Sequence, residues 1–137
     1  MLVLNECFSD TYEFTLTSVN YSTLLPAQNP NETKISVTDE TELIKLDNNK
    51  LKLSIKRSVT FNPKHSFDLN ICSSAILTGK TDLSLMNDDE LKEVLLNNNP
   101  IIVNLTSRIS LLISQIFSTF GREPFITPPY LIKSDNK

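Results

Sequence analysis

The chain has 137 residues, which fits one domain and leaves no room for two. Its 39% hydrophobic and 21% charged residues support a folded core and argue against a disordered chain. The net charge of −3 argues against a general phosphate-binding surface, because nucleic-acid binders need clustered Lys and Arg. We therefore expect a single domain over residues 1–137 that does not bind nucleic acid.

The N-terminus and the most apolar segment both argue against export or membrane insertion. The first residues, MLVLNECFSD, lack a basic start, and their apolar run is too short for a signal peptide. Residues 101–120 come nearest to a membrane span, but Asn104 and Arg108 interrupt the ~20 apolar residues that a span requires. Cys7 and Cys72 form no CxxC pair. We expect a cytoplasmic protein in which both thiols are reduced.

In residues 1–79, apolar side chains recur at every second position, which predicts an antiparallel sheet of four strands. The expected strands run from Leu2 to Leu16 with an interruption near Ser9-Asp10, from Lys34 to about Leu46, from Leu51 to Phe61, and from Phe67 to Leu77. Residues 19–31 contain two prolines and several Asn and Ser residues, which predicts a loop. Short turns at 47–50 and 62–65 favour a meander-like order with one solvated face.

Basic residues gather on the third strand, at Lys50, Lys52, Lys56 and Arg57. The lysines alternate with the apolar row, whereas Arg57 interrupts that row. We interpret the group as the solvated face of a strand, because alternation directs polar side chains outward.

The period changes in residues 80–121, where two helices are expected. Asn87 followed by the acidic residues 88–90 predicts a short capped helix, because acidic groups suit the positive end of a helix dipole. Pro100 opens a long helix, since the N–H that proline lacks would have no partner in the first turn. The prolines of residues 122–137 predict an extended C-terminal arm, because proline fixes φ and disfavours helix just before it.

The long helix has two contrasting faces. A wide apolar arc is expected to pack on the sheet, and it contains Ile101, Ile102, Leu105, Ile109, Leu112, Ile113, Ile116 and Phe120. The opposite side carries uncharged residues, Ser107, Ser110, Leu111, Ser114 and Ser118. A solvent-facing helix normally carries charges, so we predict that a helix of a second subunit packs on this side. A solvated serine-rich face is the alternative.

No pattern of catalytic or metal-binding residues is visible. His65, the only histidine, lies in a predicted turn without a Cys or Ser at a recognisable spacing. There is no HExxH, P-loop or paired cysteine ligand set, and two glycines cannot form a phosphate cradle. The acidic groups at 39–42 and 88–90 lack EF-hand spacing and are interpreted as a strand surface and a helix start. We expect neither an enzyme nor a cofactor.

The order of elements, four antiparallel strands, a short helix, a long helix and an apolar arm with prolines, resembles the SecB export-chaperone family. Matching residues are Pro100, Ile109–Phe117, Gly121, Phe125-Ile126 and Pro128-Pro129-Tyr130. The fourth strand is also similar, with Phe67, Leu69 and Ile71 on one face and Ser73-Ser74-Ala75 where the family often has glycines. The match covers most of the chain as a pattern of residue types.

The resemblance implies an ATP-independent holdase that binds unfolded polypeptides or preproteins in apolar grooves between sheet, long helix and arm. It also implies a homotetramer, built as a dimer of dimers, that serves protein export or a dedicated client such as an antitoxin of a toxin–antitoxin system. For client binding we expect Leu112, Ile116, Phe120, Phe125, Ile126 and Tyr130. The alternative is that these residues only complete the core.

The chain departs from the family pattern in two places. The family has a second helix after the arm, whereas residues 131–137 are all that follows here, so one wall of the groove is missing or supplied differently. Members that deliver clients to the SecA motor carry acidic residues on the outer sheet surface, and the fourth-strand position falls on Asn70. Asp10, Glu13 and Asp68 remain as candidates for motor docking, and this departure weakens the expectation that SecA is a partner.

A different class of function fits the same features. A non-chaperone interaction module, of phage or defence type, would bind one folded partner through the sheet and the arm. Slowing the aggregation of an unrelated unfolded protein distinguishes the two classes, since only a holdase has that effect.

Overall fold

A computed structural model of the chain describes residues 4–23, 34–62, 67–97, 99–119 and 125–132. In chain order these form helix α1 (Leu4–Cys7), strands β1 (Phe8–Thr23), β2 (Lys34–Lys45), β3 (Lys50–Asn62) and β4 (Phe67–Gly79), and helices α2 (Asp88–Leu95) and α3 (Pro100–Thr119). A 3₁₀ turn, Leu83–Leu85, precedes α2, and residues 125–132 follow α3 without helix or strand. The predicted α+β class, a sheet followed by a short and a long helix, is confirmed.

The four strands form one antiparallel sheet in the order β1-β4-β3-β2. Strands β2, β3 and β4 follow one another as the predicted meander, whereas β1 lies beside β4 and not beside β2. This Greek-key order corrects the expectation that all four strands are arranged as a meander. A tight turn forces two strands to be neighbours, but the longer connection through residues 24–33 allows β1 to pair with the far edge.

The predicted first strand is wrong at both ends, because residues 4–7 form helix α1 and residues 19–23 belong to β1 and not to a loop. Val19 and Tyr21 favour extended structure, and each pairs with a fully buried residue of β4. The predicted loop is therefore wrong for these residues. Its remainder, residues 24–31, lies outside the described part of the chain.

Two register shifts interrupt the pairing of β1 with β4. The first lies between Phe8 and Tyr12, where the sequence indicated an interruption. At the second, Thr17 is an extra residue between Leu16 and Ser18, which makes it a β-bulge. The bulge shifts the alternation by one position, so even-numbered residues face the core before it and odd-numbered residues face it afterwards.

The inner face of the sheet carries the predicted apolar rows of β3 and β4. These rows are buried throughout, and they consist of Leu51, Leu53, Ile55, Val59, Phe61, Phe67, Leu69, Ile71, Ala75 and Leu77. On the outer face, the hydroxyl groups of Thr17, Ser74 and Ser54 are hydrogen bonded in a row. The sheet thus has one apolar and one polar face, as expected of an antiparallel sheet covered on one side.

Both main helices begin at an asparagine that caps the first turn. The side-chain oxygen of Asn87 accepts hydrogen bonds from two backbone N–H groups of α2, as its sequence indicated. The side-chain oxygen of Asn99 does the same for α3, directly before the predicted helix start at Pro100. These caps fix where each helix leaves the preceding loop.

Helix α3 lays its apolar arc on the inner face of the sheet. Its buried apolar residues are Ile101, Ile102, Leu105, Ile109, Ile113 and Phe117. Among the described helices, α3 is also long and apolar enough to cross a membrane, with a mean hydropathy of 1.4. The sequence expectation that this segment falls short of a span is therefore not met by length and composition, although 44% of the stretch is buried within the protein.

Candidate functional site

Helix α3 has two flanks and one free face beside its buried arc. On one side lies the C-terminal arm, residues 125–132, and we call this side the arm flank. On the other side α3 faces β1, and we call this side the β1 flank. Between the flanks, Val103, Ser107, Leu111, Ser114 and Ser118 form the free face, whose residues are exposed or half-buried.

A buried ion pair lies on the inner face of the sheet at the arm flank. Arg57 of β3 and Asp39 of β2 stand directly opposite each other, and both side chains are fully buried. Arg57 Nε donates to Asp39 Oδ1 at 2.8 Å, and Arg57 Nη2 donates to Asp39 Oδ2 at 2.7 Å. This two-pronged geometry gives strong charge-assisted bonds, but burying the two charges is costly unless their remaining polar atoms also find partners.

The arm supplies the partners that Arg57 still needs. Nη1 donates to the Pro128 carbonyl oxygen at 2.6 Å and to the Thr127 hydroxyl oxygen at 2.9 Å. Nη2 donates to the Tyr130 carbonyl oxygen at 2.8 Å. Together with the two bonds to the carboxylate, these bonds satisfy all five donors of the guanidinium group.

Two further hydrogen bonds hold the arm against α3 and β2. Ser110 Oγ of α3 donates to the Thr127 carbonyl oxygen at 2.6 Å. The backbone N–H of Ile132 donates to Asp39 Oδ2 at 2.8 Å. The arm is therefore held between the helix and two strands, mostly through backbone groups that every polypeptide has.

The side chains of the arm divide between core and solvent. Thr127 and Leu131 are buried, and the half-buried Phe125 stacks on an aromatic ring of α3 with centroids 5.2 Å apart. Ile126 and Tyr130 have 78% and 51% of their surface exposed. The outer side of the arm thus presents large apolar groups to the solvent.

The β1 flank contains an apolar cleft of about 170 Å³. Its lining residues are Phe14, Thr15 and Leu16 of β1, Ile71 and Ser73 of β4, and Arg108, Ile109 and Leu112 of α3. Arg108 lies over the Phe14 ring, 4.2 Å from its centroid, in a cation–π contact. Leu16 stands beside the bulge at Thr17 and is 55% exposed. Apolar side chains of another molecule can therefore be buried against most of the residues that line this cleft.

The residues predicted to bind clients fall on both flanks. Leu112 lines the cleft of the β1 flank, and Ile116 is half-buried against the core. Three of the six, Phe125, Ile126 and Tyr130, belong to the arm. Phe120 lies outside the described residues. Client binding by these residues remains a prediction.

Four of the five residues predicted for an oligomer interface lie on the free face. Leu111 is the most prominent, with 61% of its surface exposed. Ser110 differs, because it is buried and bonded to the arm of its own chain. A contact with a second subunit remains a prediction for the free face, and Ser110 has a role within the chain.

The acidic residues predicted for motor docking do not form one patch. Glu13 of β1 pairs with Ile76 of β4, whereas Asp68 lies eight positions before Ile76 on the same strand. At the usual rise of a strand, this separates the two carboxylates by about 26 Å. The side chain of Asp10 lies outside the described residues.

The sequence interpretation missed Arg57, Asp39 and Thr127. Assigning Arg57 to a solvated basic face is wrong, because its side chain is fully buried with the apolar row of β3. Its position in that row was the available signal, since the neighbouring lysines have the opposite parity. The partners that permit its burial lie 18 and 70 to 73 residues away, which no local pattern shows.

A second ion pair lies on the surface, beside a cleft of about 400 Å³ between β2 and α2. Lys45 Nζ lies 2.9 Å from Asp88 Oδ1, and this hydrogen bond and the lysine charge lower the pKa of Asp88 below its ordinary value. Among the described residues, no three His, Cys, Asp or Glu side chains are grouped closely enough to hold a metal ion. The acidic residues 88–90 lie at the start of α2, as the sequence indicated.

No family model and no curated protein matches this sequence. Solved structures do match the fold. One is the SecB-like chaperone of Mycobacterium tuberculosis in complex with a peptide from the HigA1 antitoxin, with a TM-score of 0.63. The match covers 85% of this chain and 86% of that chain, at 9% sequence identity. The chain has a SecB-like fold.

The predicted resemblance is thus confirmed for the path of the chain. At 9% identity, the likeness does not transfer the roles of individual residues. The two flanks of α3 must therefore be interpreted from their own contacts.

Proposed function

We propose that this SecB-like protein is an ATP-independent holdase, working in the cytoplasm, that keeps an unfolded polypeptide bound along α3. The observation that carries the proposal is the apolar surface on both flanks of one helix, with Leu16, Ile126 and Tyr130 between 51% and 78% exposed. The similar M. tuberculosis protein, a chaperone with a bound peptide, supports the same role. No catalytic step is part of the proposal.

Apolar burial is sufficient to drive such binding. Each Å² of apolar surface removed from water contributes about 25 cal/mol, and the effect has no directional requirement. Many client sequences can therefore be accepted on the same surface. A long client that touches both flanks gains affinity through multivalency, without sequence specificity at either flank.

Between a dedicated client and an export client, we favour a dedicated client such as an antitoxin. The M. tuberculosis neighbour holds an antitoxin peptide, which supports that choice. The separation of Glu13 and Asp68 by about 26 Å along the sheet argues against a shared docking surface for the SecA motor. Export remains the second use of the same holdase.

The test is whether the purified protein, at stoichiometric amounts, slows the aggregation of an unrelated unfolded protein measured by light scattering. The double variant Ile126→Asp with Tyr130→Asp should lose most of the effect, because charges oppose apolar burial on the arm. Leu85→Asp is the matched control, since Leu85 is 84% exposed and lies on the turn before α2. An equal loss in both variants would rule out a specific role for the arm.

The second candidate is an interaction module that binds one folded partner through the sheet and the arm. The polar outer face, with its row of hydrogen-bonded hydroxyl groups, is the observation that favours it. A protein of this kind would leave the aggregation of unrelated proteins unchanged while still binding its own partner.

We also propose that the free face of α3 joins subunits of a homo-oligomer, a dimer or a tetramer. Leu111 and Val103 are exposed apolar residues on this face, and its three serines, Ser107, Ser114 and Ser118, would allow close approach of a second helix. The variant Leu111→Glu with Ser114→Glu should give a smaller species in size-exclusion chromatography with light scattering. Ser110 is left intact, because changing it would also disturb the arm. An unchanged mass would contradict the interface.

A further inference from the structure

We infer that Asp39, Arg57 and Ser110 form a binding site for the backbone of an extended polypeptide, and that the arm is its exchangeable occupant. We call these three residues the backbone site. The inference deepens the proposed holdase function and rests on it where the exchanging chain is a client. In this view the exposed apolar side chains of the arm, Ile126 and Tyr130, make the first contact with a client, which then replaces the arm at the backbone site.

The backbone site mainly contacts main-chain atoms, which are the same in every polypeptide. Five hydrogen bonds join it to the arm, and four of them engage the backbone of residues 127, 128, 130 and 132. Only the bond to the Thr127 hydroxyl involves a side chain of the arm. The arm bends at Pro129 and Tyr130, and the Pro128 and Tyr130 carbonyl oxygens both accept from the guanidinium group, so any chain that adopts this bend can present the same two acceptors.

The site favours an occupant that carries acceptors. Without the arm, three donors of the guanidinium group would lose their partners, and Asp39 would lose a donor. Water would replace these partners, and each bond regained with a second polypeptide contributes about 1 kcal/mol, which is about fivefold in affinity. The ion pair itself is independent of the arm, because both of its bonds run between the two strands. The vacated site would therefore keep its shape and bind another polypeptide backbone.

The arm is held in a way that permits exchange. Residues 125–132 form no strand pairing, and only Thr127 and Leu131 bury their side chains fully. A competing segment would replace the backbone bonds one for one and add its own apolar contacts. A tethered arm competes at an effective concentration of about millimolar, so short peptides would displace it poorly. Long unfolded chains, which also occupy the β1 flank, would displace it well.

The expected ligand is an extended segment with a small polar residue at the position of Thr127 and an apolar residue at that of Leu131, because these two positions are buried. The positions of Ile126 and Tyr130 tolerate any large side chain, because they face the solvent.

The experiment measures binding of a fluorescent peptide with the sequence of residues 125–132 to the full chain. Thr127→Val keeps the shape of the arm but removes the acceptor of one Arg57 donor. The arm of the variant should compete less well with the peptide for the backbone site. The peptide should therefore bind the variant about tenfold more tightly than it binds the unchanged chain. Thr38→Val is the matched control, because Thr38 is exposed on the outer face next to Asp39. It should leave the affinity unchanged.

A second substitution locates the bound peptide. Ser110→Ala removes a donor that the arm and the peptide share, so it should change the peptide affinity much less than Thr127→Val, which weakens the arm alone. If Thr127→Val does not fold, hydrogen exchange of the unchanged chain decides the question. The Ile132 N–H donates a hydrogen bond to Asp39 while the arm occupies the site. A saturating amount of peptide should break this bond and speed hydrogen exchange of the Ile132 amide. Equal peptide affinities, or an Ile132 amide that stays protected while peptide binds, would overturn the inference.

The outcomes separate this inference from the holdase proposal. A chain that exchanges its arm for the peptide but does not slow aggregation keeps the backbone site and loses the holdase function. A chain that slows aggregation while the Ile132 amide remains protected keeps the holdase function and loses the backbone site.

Discussion

The arm flank and the β1 flank border the same helix and the same apolar core, but they are built from different interactions. At the arm flank, five hydrogen bonds to a buried ion pair and a serine hold one segment in one register. At the β1 flank, a cation–π contact and apolar walls surround a cleft of about 170 Å³. Directional bonds select a backbone geometry, whereas apolar walls select only size and hydrophobicity.

The difference suggests a division of labour for a bound client. The arm flank would fix an extended backbone without regard to sequence, and the β1 flank would accept a varied apolar side chain. Substitutions at the first flank should therefore change stability most. Substitutions at the second should change binding with little effect on stability.

The largest effect is expected at the arm flank, for Arg57→Met. Methionine fills much of the same volume but leaves the Asp39 carboxylate buried without its partner, which should lower the free energy of unfolding by about 3–5 kcal/mol. Urea denaturation measures the change. Lys56→Met, on the exposed outer face of the same strand, is the control and should stay within about 0.5 kcal/mol. A similar decrease in the free energy of unfolding for both variants would contradict the prediction that the buried face of β3 contributes more stability than its exposed face.

An intermediate effect, on binding alone, is expected at the β1 flank for Leu16→Asp. Leu16 is 55% exposed, so the charge should leave the free energy of unfolding within about 1 kcal/mol. The charge lies at the cleft, so the capacity to slow aggregation should fall several-fold. Leu46→Asp is the control, because Leu46 is 49% exposed but follows β2, away from α3. A large loss of stability in Leu16→Asp would mean that the cleft is core and not a binding surface.

The smallest effect is expected for Lys45→Ala, which breaks the exposed ion pair with Asp88. The hydrogen bond and charge of Lys45 hold the pKa of Asp88 below its ordinary value of 3.8. Such a pair stabilises the folded protein above that ordinary value and loses its contribution as the pH falls through the lowered pKa. The variant should raise the pKa of Asp88 in an NMR titration, with no measurable change in stability at pH 7. A marked loss of stability at pH 7 would show that this exposed ion pair stabilises the protein as strongly as a buried one.

Much of the fold followed from local patterns in the sequence. Pro100 and the apolar arc predicted α3, Asn87 predicted the start of α2, and regular alternation predicted β3 and β4. The second half of β1 was missed, because the extra residue Thr17 shifts the alternation by one and hides the strand from a period-two pattern.

The candidate site was predicted less well than the fold. The sequence predicts that Ile126 and Tyr130 bind clients; both are exposed on the arm beside α3, and client binding stays a prediction. The backbone site was not found, because Arg57 and Asp39 find each other across a strand pair and meet the arm only in three dimensions. A charged residue in an apolar row signals a buried partner, but sequence alone does not name that partner.

The bulge at Thr17 also has a genetic consequence. Leu16 and Ser18 pair with consecutive residues of β4, so the pairing from Tyr12 onward would be regular if Thr17 were missing. Loss of one codon would straighten β1 where it passes Leu16, since bulges bend the strand that carries them. An in-frame deletion of three nucleotides could thus reshape the mouth of the cleft without altering any residue that lines it.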